Sequence, residues 1–337
     1  MQQGRRRVTG SGADRAGVSA PAARKTGRMP SRRAAHMRAF AQELRAEFLP
    51  ASALAVFAGA ALAFHDTGRW RGWLFLMCVL GVCALHAGAN VLNDYFDHRS
   101  GNDAINTEFI RPFTGGSRLI QQGVLRPNEV LGLGAALLGV GVGVGVYLVV
   151  LAGAGVLPFL ALGLLAGVGY SIPRVGLAAR GAGELTVALA FGVLPVTGTY
   201  YVQTGTVTAG AFALSLPVAV LIAAVLFINQ FPDSRADRAV GKRHWVVRLG
   251  LKRAARGYVA LMGLWVIVLL LGAGAGMIPS FLVWAALPGL LAIPASRRVL
   301  RHFDTPAALA PAHALTILMH LTVTAALGTM LVLARVL

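Results

Sequence analysis

Two stretches of the chain carry carboxylates at helical spacing behind an asparagine: Asn90-Val-Leu-Asn93-Asp94-Tyr-Phe-Asp97 and Asn229-Gln-Phe-Pro-Asp233-Ser-Arg-Ala-Asp237. At about 100° per residue, Asn90, Asp94 and Asp97 share one sector of a helix, and Asn229, Asp233 and Asp237 share another. Carboxylates stacked in this way repel one another. A divalent cation between them reverses the sign, and an all-oxygen ligand set suits Mg²⁺ rather than a softer metal. Any one of these acids, taken alone, reads as a solvated loop residue. Two matched clusters in a chain with only 13 acidic residues read instead as two helix ends holding metal over one cavity, with Asn90, Asp94, Asp97, Asp233 and Asp237 as ligands.

Mg²⁺ bound by few carboxylates completes its shell with water and phosphate oxygens. Basic residues stand near both clusters: Arg118 follows the first, Lys242 and Arg243 follow the second, and Arg174 lies four residues after Tyr170. Guanidinium groups clamp phosphate oxygens in pairs, and a lysine adds a point charge. With Asn90, Asn229 and Tyr170, these side chains are candidates to surround a diphosphate. Each base by itself also fits a membrane-topology signal or a contact with anionic membrane lipids.

The elements that must position these residues are membrane helices. The chain has 337 residues, 56% hydrophobic and 13% charged, which excludes an ordinary soluble domain and a disordered chain. Nine apolar segments are long enough to cross a bilayer: Phe48–Phe64, Trp73–Asn93, Val130–Gly153, Gly155–Ile172, Leu185–Tyr201, Ala209–Ile228, Tyr258–Met277, Ser280–Ile293 and His313–Ala334. The predicted fold is therefore an all-α polytopic bundle. Its formal charge of +18 does not indicate nucleic-acid binding, because the basic residues fall in gaps between apolar runs. Eleven precede Phe48 and most of the others lie in the loops after the second, fourth, sixth and eighth segments, whereas the opposite side has only Arg69, Arg71 and Arg335. That asymmetry places the N-terminus and both acid clusters in the cytoplasm and the C-terminus outside. Residues 1–40, rich in Arg, Gly, Ala and Ser, read as a disordered tail before a single domain over 41–337. Cys78 and Cys83 fall in one apolar run and read as packing residues.

A diphosphate site beside a cavity between apolar helices calls for a substrate with a polar head and a lipid tail, such as a polyprenyl diphosphate. Cations would neutralise the departing diphosphate, an allylic carbocation would develop, and an electron-rich acceptor would attack it. Apolar walls would keep water away, and the rings of Tyr95, Phe96 or Tyr170 could face the cation.

At these residues the sequence resembles the UbiA superfamily of intramembrane prenyltransferases. The family's Asn-x-x-x-Asp-x-x-Asp motif matches Asn90, Asp94 and Asp97, and its Asp-x-x-x-Asp motif matches Asp233 and Asp237, after the second and sixth helices. The resemblance, from about Phe48 onward, implies a nine-helix bundle, a Mg²⁺–diphosphate site under cytoplasmic cap loops, and a lateral opening to the bilayer. It also implies that the four aspartates are catalytic. Where the family often has Tyr-x-x-x-Lys, this chain has Tyr170 and Arg174. The stretches Asn93–Gly101, Gly181–Glu184, Tyr200–Gly205 and Asn229–Asp233 are most similar to the menaquinone branch. That similarity implies an enzyme of a bacterial inner membrane that prenylates 1,4-dihydroxy-2-naphthoate with loss of its carboxylate. Other branches, including 4-hydroxybenzoate enzymes, share both Asp motifs, so the acceptor stays open at this point. A cation transporter would hold its acids near mid-membrane, without neighbouring Lys and Arg. The Asp-Gly-x-x-Ala-Arg motif of CDP-alcohol phosphotransferases is missing.

Overall fold

The computed structural model describes residues 32–173 and 175–337; Arg174 and residues 1–31 lie outside the described residues. Among the described residues there are helices and no strands. Nine helical segments are long and apolar enough to cross a membrane: His36–Thr67, Gly72–Arg99, Pro127–Ala152, Ala154–Ser171, Gly183–Thr204, Ala209–Ala239, Leu251–Gly274, Ser280–His302 and Pro306–Val336. They are called the first to ninth spans below. Each coincides with one of the nine expected segments, and the protein is an integral membrane protein.

The spans extend beyond the apolar runs in a consistent way. The sixth has 31 residues, about 46 Å of helix against a hydrocarbon core of about 30 Å, so its last turns rise into the interface. The second, with 28 residues, does the same. Both acid clusters ride on these protruding ends. The seventh span begins at Leu251, earlier than expected, because Ala254 and Ala255 continue its buried face while Lys252, Arg253 and Arg256 face away. The eighth continues through the basic residues expected to form a loop. Its helix Ala292–His302 is amphipathic, with Ala295 and Val299 buried and Arg297, Arg298 and Arg301 in the sequence between and after them.

Most of the expected tail, residues 1–31, lies outside the described residues. Its described end is helical, Arg32–Glu43, and Ala39 there is buried in a cluster with Val91, Leu119, Ile120, Leu125 and Val130. Its apolar positions are too few to make a period by themselves; the packing partners come from distant loops and spans.

With little hydrophobic drive between helices in lipid, close approach depends on small residues. A Cβ on Gly59 of the first span would lie 2.2 Å from the Val196 carbonyl oxygen of the fifth, so only glycine permits that crossing. Large apolar side chains such as Val150, Leu165, Leu271 and Leu287 point outward, as a lipid-facing surface requires. The fifth span contains a π turn, Leu189–Val193. Pro195 explains it: proline lacks an N–H, so the Phe191 carbonyl four residues back loses its helical donor and the helix widens locally.

Candidate active site

The ends of the second and sixth spans meet through one lysine. Lys242 Nζ donates to Asp97 Oδ1 at 2.7 Å and lies 3.1 Å from Asp237 Oδ1. Burial pulls this ammonium's proton affinity down, but the Asp97 and Asp237 carboxylates outweigh it and hold Lys242 well above the ordinary lysine range. Each carboxylate has further donors. Asn93 Nδ2 donates to Asp97 Oδ2 at 3.0 Å and itself accepts from Ser171 Oγ. Asp237 accepts from Asn102 Nδ2 at 3.0 Å, and His244 Nε2 lies 3.0 Å from its other oxygen. Asp233 accepts from Asn106 Nδ2 at 2.7 Å.

Two of those donors sit in the loop after the second span, which folds back over the acids. Its short helix Asn102–Ile105 starts after Gly101, whose φ of 77° is open to glycine at no steric cost. Arg118 fixes this loop from beneath: its guanidinium donates to the backbone carbonyls of Asp103 and Asn106 and stacks 4.2 Å from the Phe109 ring centroid. Asp103 is buried in the same loop, with Gln121 Nε2 donating to Oδ2 at 2.8 Å. Burial first, then the Asp97 and Asp94 charges, push its carboxyl up to about 7.

Below the acids lies a cavity of about 260 Å³. Asp97, Asp233, Asp237, Lys242, Asn90 and Asn229 line its polar rim, with Tyr170, Asn93 and Arg45. Its deeper wall is apolar, including Ala166, Ile222, Val225, Leu226, Ile317 and Leu321. The arrangement suits a ligand charged at one end and greasy at the other.

The structure separates the candidate residues into groups. Asn90, Asp97, Tyr170, Asn229, Asp233, Asp237 and Lys242 come together. Asp94 does not line the cavity. It is buried and accepts from the Ser117 backbone N–H at 2.7 Å, with Arg45 Nη1 3.9 Å away. Helical rotation accounts for this: Asn90 and Asp97 differ by only about 20° around the axis, whereas Asp94 stands about 40–60° from either. That offset aims it at the Gly115–Ser117 turn, where a Cβ on Gly116 would lie 2.7 Å from its Oδ1. Arg118 is spent on backbone carbonyls and is not at the cavity wall. Arg243 is exposed; it contributes through its backbone, the N–H donating to Ala179 O at 2.6 Å and the carbonyl accepting from Arg248 Nε. Arg174 lies outside the described residues.

Asn93, Asn102, Asn106, His244 and Arg45 are site residues that motif reasoning missed. The only signal in the sequence was density: Asn102, Asp103 and Asn106 lie close together in a loop already rich in acids.

Among the described residues no three Asp, Glu, His or Cys side chains converge closely enough to hold a metal by themselves. The lysine stands between the carboxylates. The donor chemistry nevertheless fits a hard cation. Besides the three rim carboxylates, the side-chain carbonyl oxygens of Asn229, Gln230 and Asn102 border this cavity, buried and without a hydrogen-bond partner among the described residues. Unpaired buried acceptors of this kind are costly unless something positive completes them.

The profile of the UbiA prenyltransferase family matches residues 52–321. A 1,4-dihydroxy-2-naphthoate octaprenyltransferase of Haemophilus influenzae is 30% identical over 218 residues, covering 61% of this chain and 67% of that protein. A 2-carboxy-1,4-naphthoquinone phytyltransferase of Synechocystis is 29% identical over 244 residues, covering 72% and 75%. Among solved structures, an apo UbiA homologue from Aeropyrum pernix superposes with a TM-score of 0.66 at 17% identity, covering 83% of this chain and 96% of that one. An Archaeoglobus fulgidus homologue bound to GPP and Mg²⁺ superposes at 0.53 and 15% identity, covering 87% and 99%. This chain belongs to the UbiA prenyltransferase family. It is a prenyltransferase, an enzyme that transfers an alkyl group larger than methyl.

Proposed function

We propose that the protein transfers a polyprenyl group from its diphosphate to 1,4-dihydroxy-2-naphthoate, in menaquinone biosynthesis at a bacterial inner membrane, with the acid clusters on the cytoplasmic side. One observation carries the chemistry: Lys242 joins Asp97 to Asp237 at the mouth of a cavity whose depth is apolar. The naphthoate acceptor is supported by the relatives from Haemophilus and Synechocystis, whose names specify naphthoate or naphthoquinone substrates.

Mg²⁺ held by Asp97, Asp233 and Asp237, with the Asn229 carbonyl, would supply charge neutralisation for the leaving diphosphate. The protein's own part is then definite. Asn102, Asn106 and His244 hold the Asp237 and Asp233 carboxylates in fixed orientations. Lys242, once its carboxylates have another cation partner, is free to donate to a diphosphate oxygen at the same place. As the C–O bond to the allylic carbon breaks and the diphosphate leaves with its electron pair, the apolar wall below excludes water from the developing cation. The acceptor's carboxylate-bearing ring carbon bonds to the allylic carbon, and its C–C bond to the carboxylate breaks, releasing CO2 and restoring the aromatic ring. Asp94 and Arg45 shape the rim through the Gly115–Ser117 turn.

The direct test is incubation of the purified protein with Mg²⁺, geranylgeranyl diphosphate and a panel of aromatic acids, with products identified by mass. A prenylated 1,4-dihydroxynaphthalene, or its oxidised naphthoquinone, is expected from 1,4-dihydroxy-2-naphthoate. Products from 4-hydroxybenzoate alone would overturn the acceptor, and no product from any acid would overturn the activity.

A further inference from the structure

A second cavity, of about 110 Å³, lies beside the first between the second, third, fourth and fifth spans. The two share the wall residues His86, Ala89, Gly167, Ala190 and Phe191. Along the second span it runs from Ala89 back to Cys78, about 16 Å of helix, away from the acids. Its wall is almost wholly apolar, and it owes its width to small residues: Gly81, Gly141, Gly145, Gly163 and Gly198 all border it.

The partition between the two cavities is built, not incidental. Phe191 rides on the π turn, where the backbone is displaced from regular helix, and its ring lies 4.5 Å from the His86 ring, centroid to centroid. His86 is pinned from the other side by Ser52, whose Oγ lies 2.8 Å from Nδ1. A π turn accommodates change in register more readily than the α-helix around it, and such turns recur at functional positions.

We infer that the second cavity receives the distal isoprene units of the donor's tail, and that Phe191, against His86, is the neck that decides how long a chain enters. This rests on the prenyl-transfer reading above. The occupant follows from the wall. An aromatic hydroxy acid would bring a carboxylate and hydroxyls into a space with hardly any polar partner, which is unfavourable for each unpaired group and most of all for the charge. A branched hydrocarbon brings none, and each methylene it buries favours entry. The position also follows: a diphosphate at Lys242 and Asp237 leaves the tail pointing down the first cavity toward the shared wall.

The test is a donor-length series. The full-length protein, with Mg²⁺ and 1,4-dihydroxy-2-naphthoate, is assayed with dimethylallyl, geranyl, farnesyl and geranylgeranyl diphosphates, and kcat/KM is measured for each. Gly163→Leu fills the second cavity; a Cβ there meets only Leu85 Cδ1 at 3.8 Å, so the new side chain grows into space without moving backbone. It should lower the ratio of geranylgeranyl to geranyl kcat/KM by roughly tenfold or more. Phe191→Ala opens the neck and should raise the same ratio. Should both variants keep the wild-type ratio, the inference is overturned while prenyl transfer itself stands. A Gly163→Leu enzyme whose acceptor KM rises with donor preference unchanged would give the cavity to the acceptor and likewise overturn it. Failure of the wild type with every donor would remove the prenyl-transfer reading and this one with it.

Discussion

Lys242→Met removes an ammonium and keeps much of the side chain's bulk, so it isolates what that charge does between the two acid clusters. The contacts of 2.7 and 3.1 Å mean that the facing oxygens of Asp97 and Asp237 lie no more than about 6 Å apart. Without the lysine, two carboxylates at about 6 Å repel by about 3 kcal/mol at an effective dielectric constant near 20. The variant should therefore unfold at lower temperature than wild type in metal-free buffer above neutral pH, and recover as the pH falls. Mg²⁺ supplies the missing positive charge, so it should stabilise Lys242→Met more than wild type, in which the ion must compete with the ammonium. Thermal unfolding in detergent, followed by tryptophan fluorescence with and without Mg²⁺, measures both effects. Equal Mg²⁺ shifts in the two proteins, with no loss of stability in the metal-free variant, would refute the shared-cation arrangement.

Asp97→Asn and Asp237→Asn should each lower turnover by roughly 10²-fold or more while membrane insertion is kept, because each removes a charge aimed at the leaving group's counter-cations; product mass per unit of inserted protein reads this. Asp94→Asn should also lose turnover, through the Ser117 N–H and the Arg45 pairing, and geranyl diphosphate KM separates its effect from those of the cavity aspartates. Arg118→Lys should destabilise by about 1–3 kcal/mol, since one ammonium cannot serve two buried carbonyls and stack on Phe109 as the planar fork does; a melting temperature equal to wild type would contradict it. Asp103 gives a pH dependence. Its carboxyl is raised from 3.8 to about 7, so the folded protein keeps a proton that the unfolded chain has released. The stability it contributes is full below pH about 4 and lost as the pH rises through about 7. Asp103→Asn should gain on wild type between pH 5 and pH 8 in thermal unfolding, and a constant difference across that range would count against the buried, protonated carboxyl.

The membrane spans and the two acid clusters are legible in the sequence because each is a local pattern. A run such as Ala209–Ile228 declares a helix by composition alone, and Asp233 and Asp237 declare a shared face by spacing. That the clusters stand at the same end of the bundle follows from counting spans. Which members of a cluster meet across the cavity does not. Asn90 and Asp97 reach the rim and Asp94 is turned toward the Gly115–Ser117 turn by a rotation of tens of degrees, small on a helical wheel and decisive for a side chain. Arg118 and Arg243 look in sequence like phosphate ligands, yet one satisfies loop carbonyls and the other is exposed. Asn102 and Asn106 look like loop filler, yet they orient Asp237 and Asp233 from more than a hundred residues away. Periodicity reports which face of an element is buried, and it does so within one element. The partner across a gap of a few ångströms is set by how whole helices tilt, rotate and stack, a property of many distant contacts acting together, and only the assembled bundle contains it.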